Sequence, residues 1–411
     1  MFATVDELGA GQRLLVRIDV NAPVEDGEVQ DTRRFARHAN SIGRLLDDGH
    51  AVAVLAHQGR PGRDTFVSLE PHAEILAGHL GHPVEFVEDT YGDAALEAIA
   101  DLEGGEVLLL ENIRFVEDEL AHATAAAHVE TELVQTLSER LDAYVNDAYS
   151  VAHRGHASIV GFPEVMDSYA GPVMQTEYEA NTAIERRSFD GPVTMVLGGV
   201  KAEDVLAVME HLDGSVEHFI LGGVLGELFL RAQGYDVGFD VDDKDLYDSV
   251  WTANEETIES MLEQFGDRVH LPVDLAREGG DEPRVTERVE DIEKEHPYLD
   301  IGERTIDEYR PIIRDSAAVL VKGALGAFED EPFSYGTRGV LEAIAATDCF
   351  SVVGGGDTSR AVDLYGLDPN DFDHLSIAGG AYLHAITGES LPGVEALERA
   401  ARRMDSPTVS S

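Results

Sequence analysis

The sequence predicts an α/β protein of two doubly wound, parallel-sheet (Rossmann-like) domains joined by a hinge helix. Three observations carry that expectation. Short runs that are apolar along their whole length recur through the chain, as in strands covered on both faces. Stretches with helical spacing stand between them, and strand–helix alternation marks a parallel sheet. A length of 411 residues is also enough for two domains, each with its own core.

In the first half, RLLVRI (13–18) reads as a strand and runs into the polar loop Asp19-Val20-Asn21-Ala22-Pro23. A turn at 25–28 precedes Asp31-Thr32-Arg33-Arg34, which opens a helix reaching Leu46. Strand 51–55 ends in His57-Gln58-Gly59-Arg60-Pro61-Gly62. A helix over about 70–80 and a short strand at 84–87 follow. Strand 106–110 then meets Glu111-Asn112-Ile113-Arg114-Phe115. A helix across roughly 125–140 leads to strand 143–145, whose loop carries Asn146-Asp147 and then His153-Arg154-Gly155-His156.

Ligands of doubly wound sheets bind beyond the carboxyl ends of the strands. Arg33, His57, Arg60, Arg114 and Arg154 all stand in such loops. One arginine there would be an ordinary surface ion pair. Five basic groups so placed, in an otherwise acidic half, predict a pocket for a small, multiply charged anion, because guanidinium forks match carboxylate and phosphate oxygens.

Residues 176–184 (TEYEANTAI), bracketed by Gly171-Pro172 and Gly191-Pro192, read as the connecting helix. Beyond it the strands end in glycine. PVTMVLGGVK (192–201) is strand 193–197 followed by Gly198-Gly199 and Lys201, and strand 219–221 meets Gly222-Gly223. After an acidic insertion at 240–248 and a helix near 252–265, strand 269–273 reaches Asp274. The stretch 277–297 reads as an exposed loop with a helix. Strand 317–321 reaches Lys322-Gly323, strand 349–353 reaches Gly354-Gly355-Gly356-Asp357-Thr358-Ser359, and 374–377 reaches Ala378-Gly379-Gly380. Glycine before a helix lets backbone amides approach phosphate, so repeated glycine turns predict a nucleotide polyphosphate lying along backbone donors. Neither a Walker A sequence nor a strict GxGxxG is present. Asp357 beside Thr358 suits magnesium, a hard cation that takes carboxylate and phosphate oxygens together, as well as an N-cap. The chain has only four lysines, and Lys201 and Lys322 both sit where a strand meets a glycine turn. Together these features describe a small-molecule kinase closing two halves over an in-line transfer.

Acidic residues number 80 against 30 basic ones, a net charge of −50. Nucleic acid and anionic membranes are therefore not expected partners, and no apolar run approaches the roughly 20 residues of a membrane helix. The single cysteine, Cys349, excludes an internal disulfide and fits a reducing cytoplasm. No signal peptide is read at the N-terminus, so the expected compartment is cytoplasmic. Self-repulsion of this size calls for screening, and at 1 M salt the Debye length is only about 3 Å. A protein adapted to molar salt is expected. Periodic apolar strands exclude a disordered acidic chain.

RIDVNAP (17–23), HQGRPG (57–62), LENIRF (110–115), VNDAYSVAHRGHAS (145–158), LGGVKAED (197–204), KGALGAFE (322–329), SVVGGGDTS (351–359) and IAGGAYL (377–383) stand in this order. The set resembles phosphoglycerate kinase over nearly the whole chain, and with the charge it implies a halophilic, archaeal member. The resemblance implies transfer between ATP and 3-phosphoglycerate, giving ADP and 1,3-bisphosphoglycerate, with magnesium, in a monomer. It implies a 3-phosphoglycerate domain at 1–171, a hinge helix and nucleotide domain at 172–390, and a tail at 391–411 that packs back on the first domain. Asp19, Asn21, Arg33, His57, Arg60, Arg114 and Arg154 are the implied 3-phosphoglycerate site. Gly198, Gly199, Lys201, Gly222, Gly223, Lys322, Gly323, Glu329, Gly356, Asp357, Thr358 and Ser359 are the implied nucleotide site, with Asp357 at the metal. Arg33, Lys201, Gly379 and Gly380 are expected to neutralise the moving phosphoryl group.

The chain departs from the family pattern at Val205, where a second lysine is usual, at Lys322 for asparagine, at Ala324 for proline and at Ala378 for glycine. Lys322 is expected to supply the charge missing at 205. A non-catalytic nucleotide-binding regulatory relative is the alternative these departures raise.

Circular dichroism across KCl tests the reading of the charge: folded signal is expected to grow from dilute to molar salt. A fully folded protein in dilute buffer, unchanged at molar KCl, would show the charge to be unrelated to salt.

Overall fold

The computed structural model describes residues 1–406 except 123, 200, 240–246 and 293–294, and it leaves the side chain of Asp357 outside the description. The acidic insertion read at 240–248 thus lies outside the described residues up to 246. The chain divides into two compact units, one formed by Met1–Glu179 with the C-terminal segment from Glu389, the other by Ala180–Gly388.

The first unit holds β1 (Arg13–Arg17), a hairpin of β2 (Val24–Glu25) and β3 (Glu28–Val29), then β4 (Ala51–Leu55), β5 (Glu85–Val87), β6 (Val107–Leu110), β7 (Ala143–Asn146) and β8 (Ser168–Ala170). Six of these form one sheet in the order β5-β6-β4-β1-β7-β8, every pair parallel. Alternate residues of β1 enter different cores. Leu14 and Val16 pack with Phe35, Ile42 and Leu76, whereas Leu15 packs with Ile99, Leu133 and Phe162. The sheet is therefore covered on both faces, which is why its strands read as unbroken apolar runs.

Some expected elements differ. The turn at 25–28 is the two-residue hairpin connection Asp26-Gly27, both at positive φ (52° and 84°), a twist that matches the flanking strands. The helix expected over 125–140 is two, Ala125–His128 and Glu132–Ser138, because Thr131 accepts from the Val134 amide and restarts the chain. A helix at Asp93–Asp101 was not expected; its apolar face is short and alanine-rich.

The second unit continues with β9 (Val193–Leu197), β10 (His218–Leu221), β11 (Val269–His270), β12 (Asp274–Arg277), β13 (Val285–Arg288), β14 (Asp300–Ile301), β15 (Ala318–Lys322), β16 (Phe350–Gly354) and β17 (His374–Leu375). Its main sheet runs β11-β10-β9-β15-β16-β17 and is parallel throughout. On one face Val196, Ile220, Val319, Val321 and Val353 pack against Ile306, Tyr309, Ile313 and Leu341. The stretch 277–297 is not an exposed loop with a helix. Its residues 285–288 pair antiparallel with β12, which pairs in turn with β14, in a separate three-stranded sheet. Strand 269–273 stops at His270, and Asp274 opens β12. Pairing partners decided this, in a segment too charged for its strand pattern to be read alone.

The division between units falls after Glu179, inside the helix Pro172–Asn181. Asp147 anchors the start of that helix: its Oδ1 accepts from the amides of Val173 (2.7 Å) and Met174 (3.3 Å), while Oδ2 accepts from His38 Nδ1 (2.9 Å). The helix Pro392–Asp405 lies in the first unit, where Gly393 donates to the Ala152 carbonyl (2.8 Å) and Arg399 to Glu164 (2.8 Å). No helix among the described residues is long and apolar enough to cross a membrane. Removing the Asp147 carboxylate strands three buried donors, so Asp147→Ala is expected to cost on the order of 3 kcal/mol. Denaturant unfolding in molar KCl measures it; a loss below about 0.5 kcal/mol would show these bonds to be replaceable.

Candidate active site

In the first unit the loops after β1, β4, β6 and β7 meet along one sheet edge, because parallel strands carry all their carboxyl ends to the same side. Asp19 is buried, at 1% exposure. Its Oδ2 accepts from Arg34 Nη1 (2.7 Å) and from Ser150 Oγ, and its Oδ1 from the Asn21 amide (3.1 Å). Burial alone would raise this carboxyl, but Arg34, His57, the Ser150 hydroxyl and Arg17 outweigh it and hold it well below the usual range. Asp19 thus organises the edge through bonds already made. Asn21 does likewise, accepting from the Gly59 amide at 2.8 Å.

His57 is buried, at 3% exposure, and burial holds its imidazole well below 6.5. Arg114 is half-buried, donates to the Gly59 carbonyl, and is lowered to about 10 by burial and then by Arg17, so it stays charged. Arg60 and Arg154 are exposed, and Arg33, half-buried, opens the helix Arg33–Asp47. The electrostatic neighbours of Arg114 are Arg17, Glu119, Asp19 and Arg60.

Arg17, the last residue of β1, is the functional side chain that reading the sequence missed. It is fully buried. Its Nε donates to Ser158 Oγ (2.9 Å), Nη1 to the Ile18 carbonyl, and Nη2 contacts His57 Nδ1 (3.1 Å). Ser158 is held in turn by the buried Glu119, Oγ to Oε1 and amide to Oε2, both at 2.8 Å. The available signal was an arginine inside an apolar strand, since a charge there must be paired.

In the second unit the five strand-end loops also share one edge, but they are built differently. The amides of the glycine turns are already used inside the fold. Gly198 donates to the Lys322 carbonyl (2.9 Å), Gly199 to Ala324 (2.8 Å), Gly222 to Leu197 (3.1 Å), Gly223 to Leu325 (3.0 Å), and Gly323 to Thr358 Oγ1 (3.2 Å). A Cβ at 198 would collide with the Ala324 carbonyl, and one at 323 with that of Gly198. These glycines interlock the loops after β9, β10 and β15; their amides are not free donors along a ligand. Thr358 and Ser359 are likewise turned inward, Ser359 Oγ donating to the Ser376 carbonyl at 2.9 Å.

The edge still offers Lys201, Gly356, Gly379 and Gly380, all exposed, and half-buried Lys322. Gly356 opens the helix Gly356–Leu364 and Gly380 the helix Gly380–Ile386. Lys322 pairs in register with Leu197 across β15 and β9, so Lys201 and Lys322 flank the point where the strand order reverses. Burial lowers the Lys322 ammonium; Asp204 opposes this and Lys201 adds to it. Val205, at 1% exposure, packs inward and is not presented at the edge as was expected of it. Glu329 is exposed and lies 3.8 Å from Arg360. The side chain of Asp357 is outside the described residues, and the rest contain no group of three His, Cys, Asp or Glu able to hold a metal.

The family model "Phosphoglycerate kinase" matches residues 5–389. The chain belongs to the phosphoglycerate kinase family. Curated phosphoglycerate kinases of Haloarcula marismortui and Halorubrum lacusprofundi are 63% and 62% identical to it, over 97% and 98% of this chain and 100% and 99% of theirs. A solved phosphoglycerate kinase from Pyrococcus horikoshii OT3 superposes with a TM-score of 0.89 at 32% identity, and one from Coxiella burnetii with 0.81 at 30%. Each match covers 98% of this chain and 100% of the solved one.

This family member suspends its His57–Arg60 loop from Gln58, which is fully buried. Gln58 Oε1 accepts from the Ala22 amide (2.9 Å) and from His72 Nε2 (3.1 Å), while its Nε2 donates to the carbonyls of Ala22 and Thr65. Burial lowers His72 to about 4. The unfolded chain takes up this proton near 6.5, so stability is lost as pH falls from about 6.5 through about 4. His72→Gln, which keeps a donor but cannot protonate, is expected to flatten that acid slope in pH-dependent denaturant unfolding. An unchanged slope would show that His72 does not contribute to it.

Proposed function

We propose that the protein is an active, salt-adapted phosphoglycerate kinase of the cytoplasm. It transfers the γ-phosphoryl group of ATP reversibly to the carboxylate of 3-phosphoglycerate, yielding 1,3-bisphosphoglycerate and ADP. The observation that carries the reading is the first unit's edge: His57, Arg60 and Arg114 around the buried Arg17, in a chain of net charge −50. Concentrating cations there in so acidic a protein serves an anion with more than one charged end. Relatives from the salt-dwelling genera Haloarcula and Halorubrum support the salt adaptation. The alternative of a non-catalytic relative gains nothing from these comparisons.

The nucleophile is a carboxylate, ionised at neutral pH, so no general base is required. One of its oxygens forms the bond to the γ-phosphorus as the bond to the β–γ bridging oxygen breaks and ADP leaves. Catalysis then consists of holding the groups in line and offsetting charge. Arg33, Arg60, Arg114 and Arg154 bind the acid's two charged ends; Asp19 and Asn21 keep the edge in shape. Lys201 and Lys322 take the polyphosphate, the amides of the exposed Gly379 and Gly380 take the moving group, and Glu329 serves the nucleotide. Asp357 would hold magnesium together with the nucleotide's own phosphates, and the ion would supply neutralisation of phosphate charge. The helix Pro172–Asn181, where one unit gives way to the other, is the proposed hinge.

Turnover of 3-phosphoglycerate with Mg-ATP in molar KCl, coupled to reduction of the acyl phosphate, tests the reading. Folded protein without turnover at any salt would overturn it. Lys322→Asn is expected to raise KM for ATP about tenfold, or about 1.4 kcal/mol, with KM for 3-phosphoglycerate unchanged. Unchanged nucleotide affinity would assign Lys322 a purely structural role.

A further inference from the structure

The contact between Arg17 and His57 has only one chemical sense. A guanidinium carries five N–H donors and no lone pair, so where Nη2 lies 3.1 Å from His57 Nδ1, Nδ1 must be the acceptor. Asp19 Oδ1 stands 3.6 Å from the same nitrogen, beyond hydrogen-bond reach, and does not compete to place a proton there. Arg17 cannot turn away, because Ser158 and the Ile18 carbonyl hold its other nitrogens and Glu119 holds Ser158. The ring proton therefore sits on Nε2. Among the described residues Nε2 has no hydrogen-bond partner, yet it is not one of the fully enclosed polar atoms lacking one. It is accessible from the edge.

We propose that Arg17 is a positioning residue that locks His57 as a neutral imidazole with its Nε2–H offered to an oxygen of the bound acid. This rests on the reading of the edge as the 3-phosphoglycerate site. The charged groups facing His57 are Asp19, Arg17, Arg114 and Arg34; Asp19 favours a second proton on the ring, while burial and the three arginines oppose it. His57 is thus a donor of constant strength through the neutral range. It orients the acid without adding a further full positive charge to the edge, a duty left to the arginines.

Long-range proton–nitrogen spectra of the full chain, labelled with ¹⁵N-histidine in molar KCl, read this directly, with His57→Gln identifying the resonances. From about pH 8 to about pH 5, the expected result is an unprotonated Nδ1 and a protonated Nε2 that do not change. A proton on Nδ1, or titration near the ordinary value, overturns the proposal. Two variants separate donor geometry from mere packing. A glutamine amide nitrogen falls near Nε2 and an asparagine amide nitrogen near Nδ1. His57→Gln is therefore expected to keep KM for 3-phosphoglycerate within about threefold, and His57→Asn to raise it about tenfold; equal effects overturn the donor role. Ser158→Ala, which loosens Arg17 without removing its charge, is expected to let the ring sample the other tautomer. The expected tautomer in a wild-type protein that does not turn over 3-phosphoglycerate would overturn the kinase reading and the donor role together, leaving only the Arg17–His57 contact.

Discussion

A charge inside a sheet is the constraint around which the first unit is assembled. Arg17 ends β1, the strand between β4 and β7, with no solvent exposure. Taking a guanidinium out of water costs several kcal/mol unless partners replace its hydration. Here Glu119 and Asp19 supply countercharge, and Ser158, His57 and the Ile18 carbonyl supply acceptors. Ile18 and Asp19 follow β1, His57 follows β4, Glu119 follows β6 and Ser158 follows β7, so satisfying one side chain fixes four strand-end loops together. Tyr144 adds to this, its hydroxyl donating to the Ser158 carbonyl at 2.6 Å. The edge is rigid because a half-satisfied buried network is costlier than none.

The second unit ties its strand-end loops together in another way. Its loops are tied by backbone rather than by buried charge: carbonyls 322, 324 and 325 take the amides of Gly198, Gly199 and Gly223. Such close approach of backbone to backbone is open only to glycine. Lys201 and Lys322 bring positive charge to the reversal of strand order, the place where doubly wound sheets hold their ligands.

The acidic surface and the basic edge belong to one account. Arginine and lysine are scarce, and a large share of the arginines near the first edge serve structure or site: Arg34 on Asp19, Arg37 on the buried Glu177, Arg17 beneath His57. Exposed ion pairs such as Arg310–Asp307 add little by comparison.

Reading residues in order was enough to locate both main sheets, because a strand buried on two faces is apolar whatever it packs against, and to place His57, Arg60, Arg114, Lys201 and Lys322 at strand ends. The chain's own pattern also marked the glycine turns and the charge imbalance. It did not reveal which polar groups were already committed. Thr358, Ser359 and the amides at 198, 199, 222 and 223 look the same in sequence whether they face a ligand or a neighbouring loop, and Val205 looks the same facing in or out. The charged strands β12 to β14 were hidden because their stability lies in cross-strand partners. The role of Arg17 was hidden because its partners, His57, Glu119 and Ser158, are remote in sequence. Local pattern determines which segments must leave water; only the tertiary structure decides which hydrogen-bonding groups satisfy one another and which remain for a substrate.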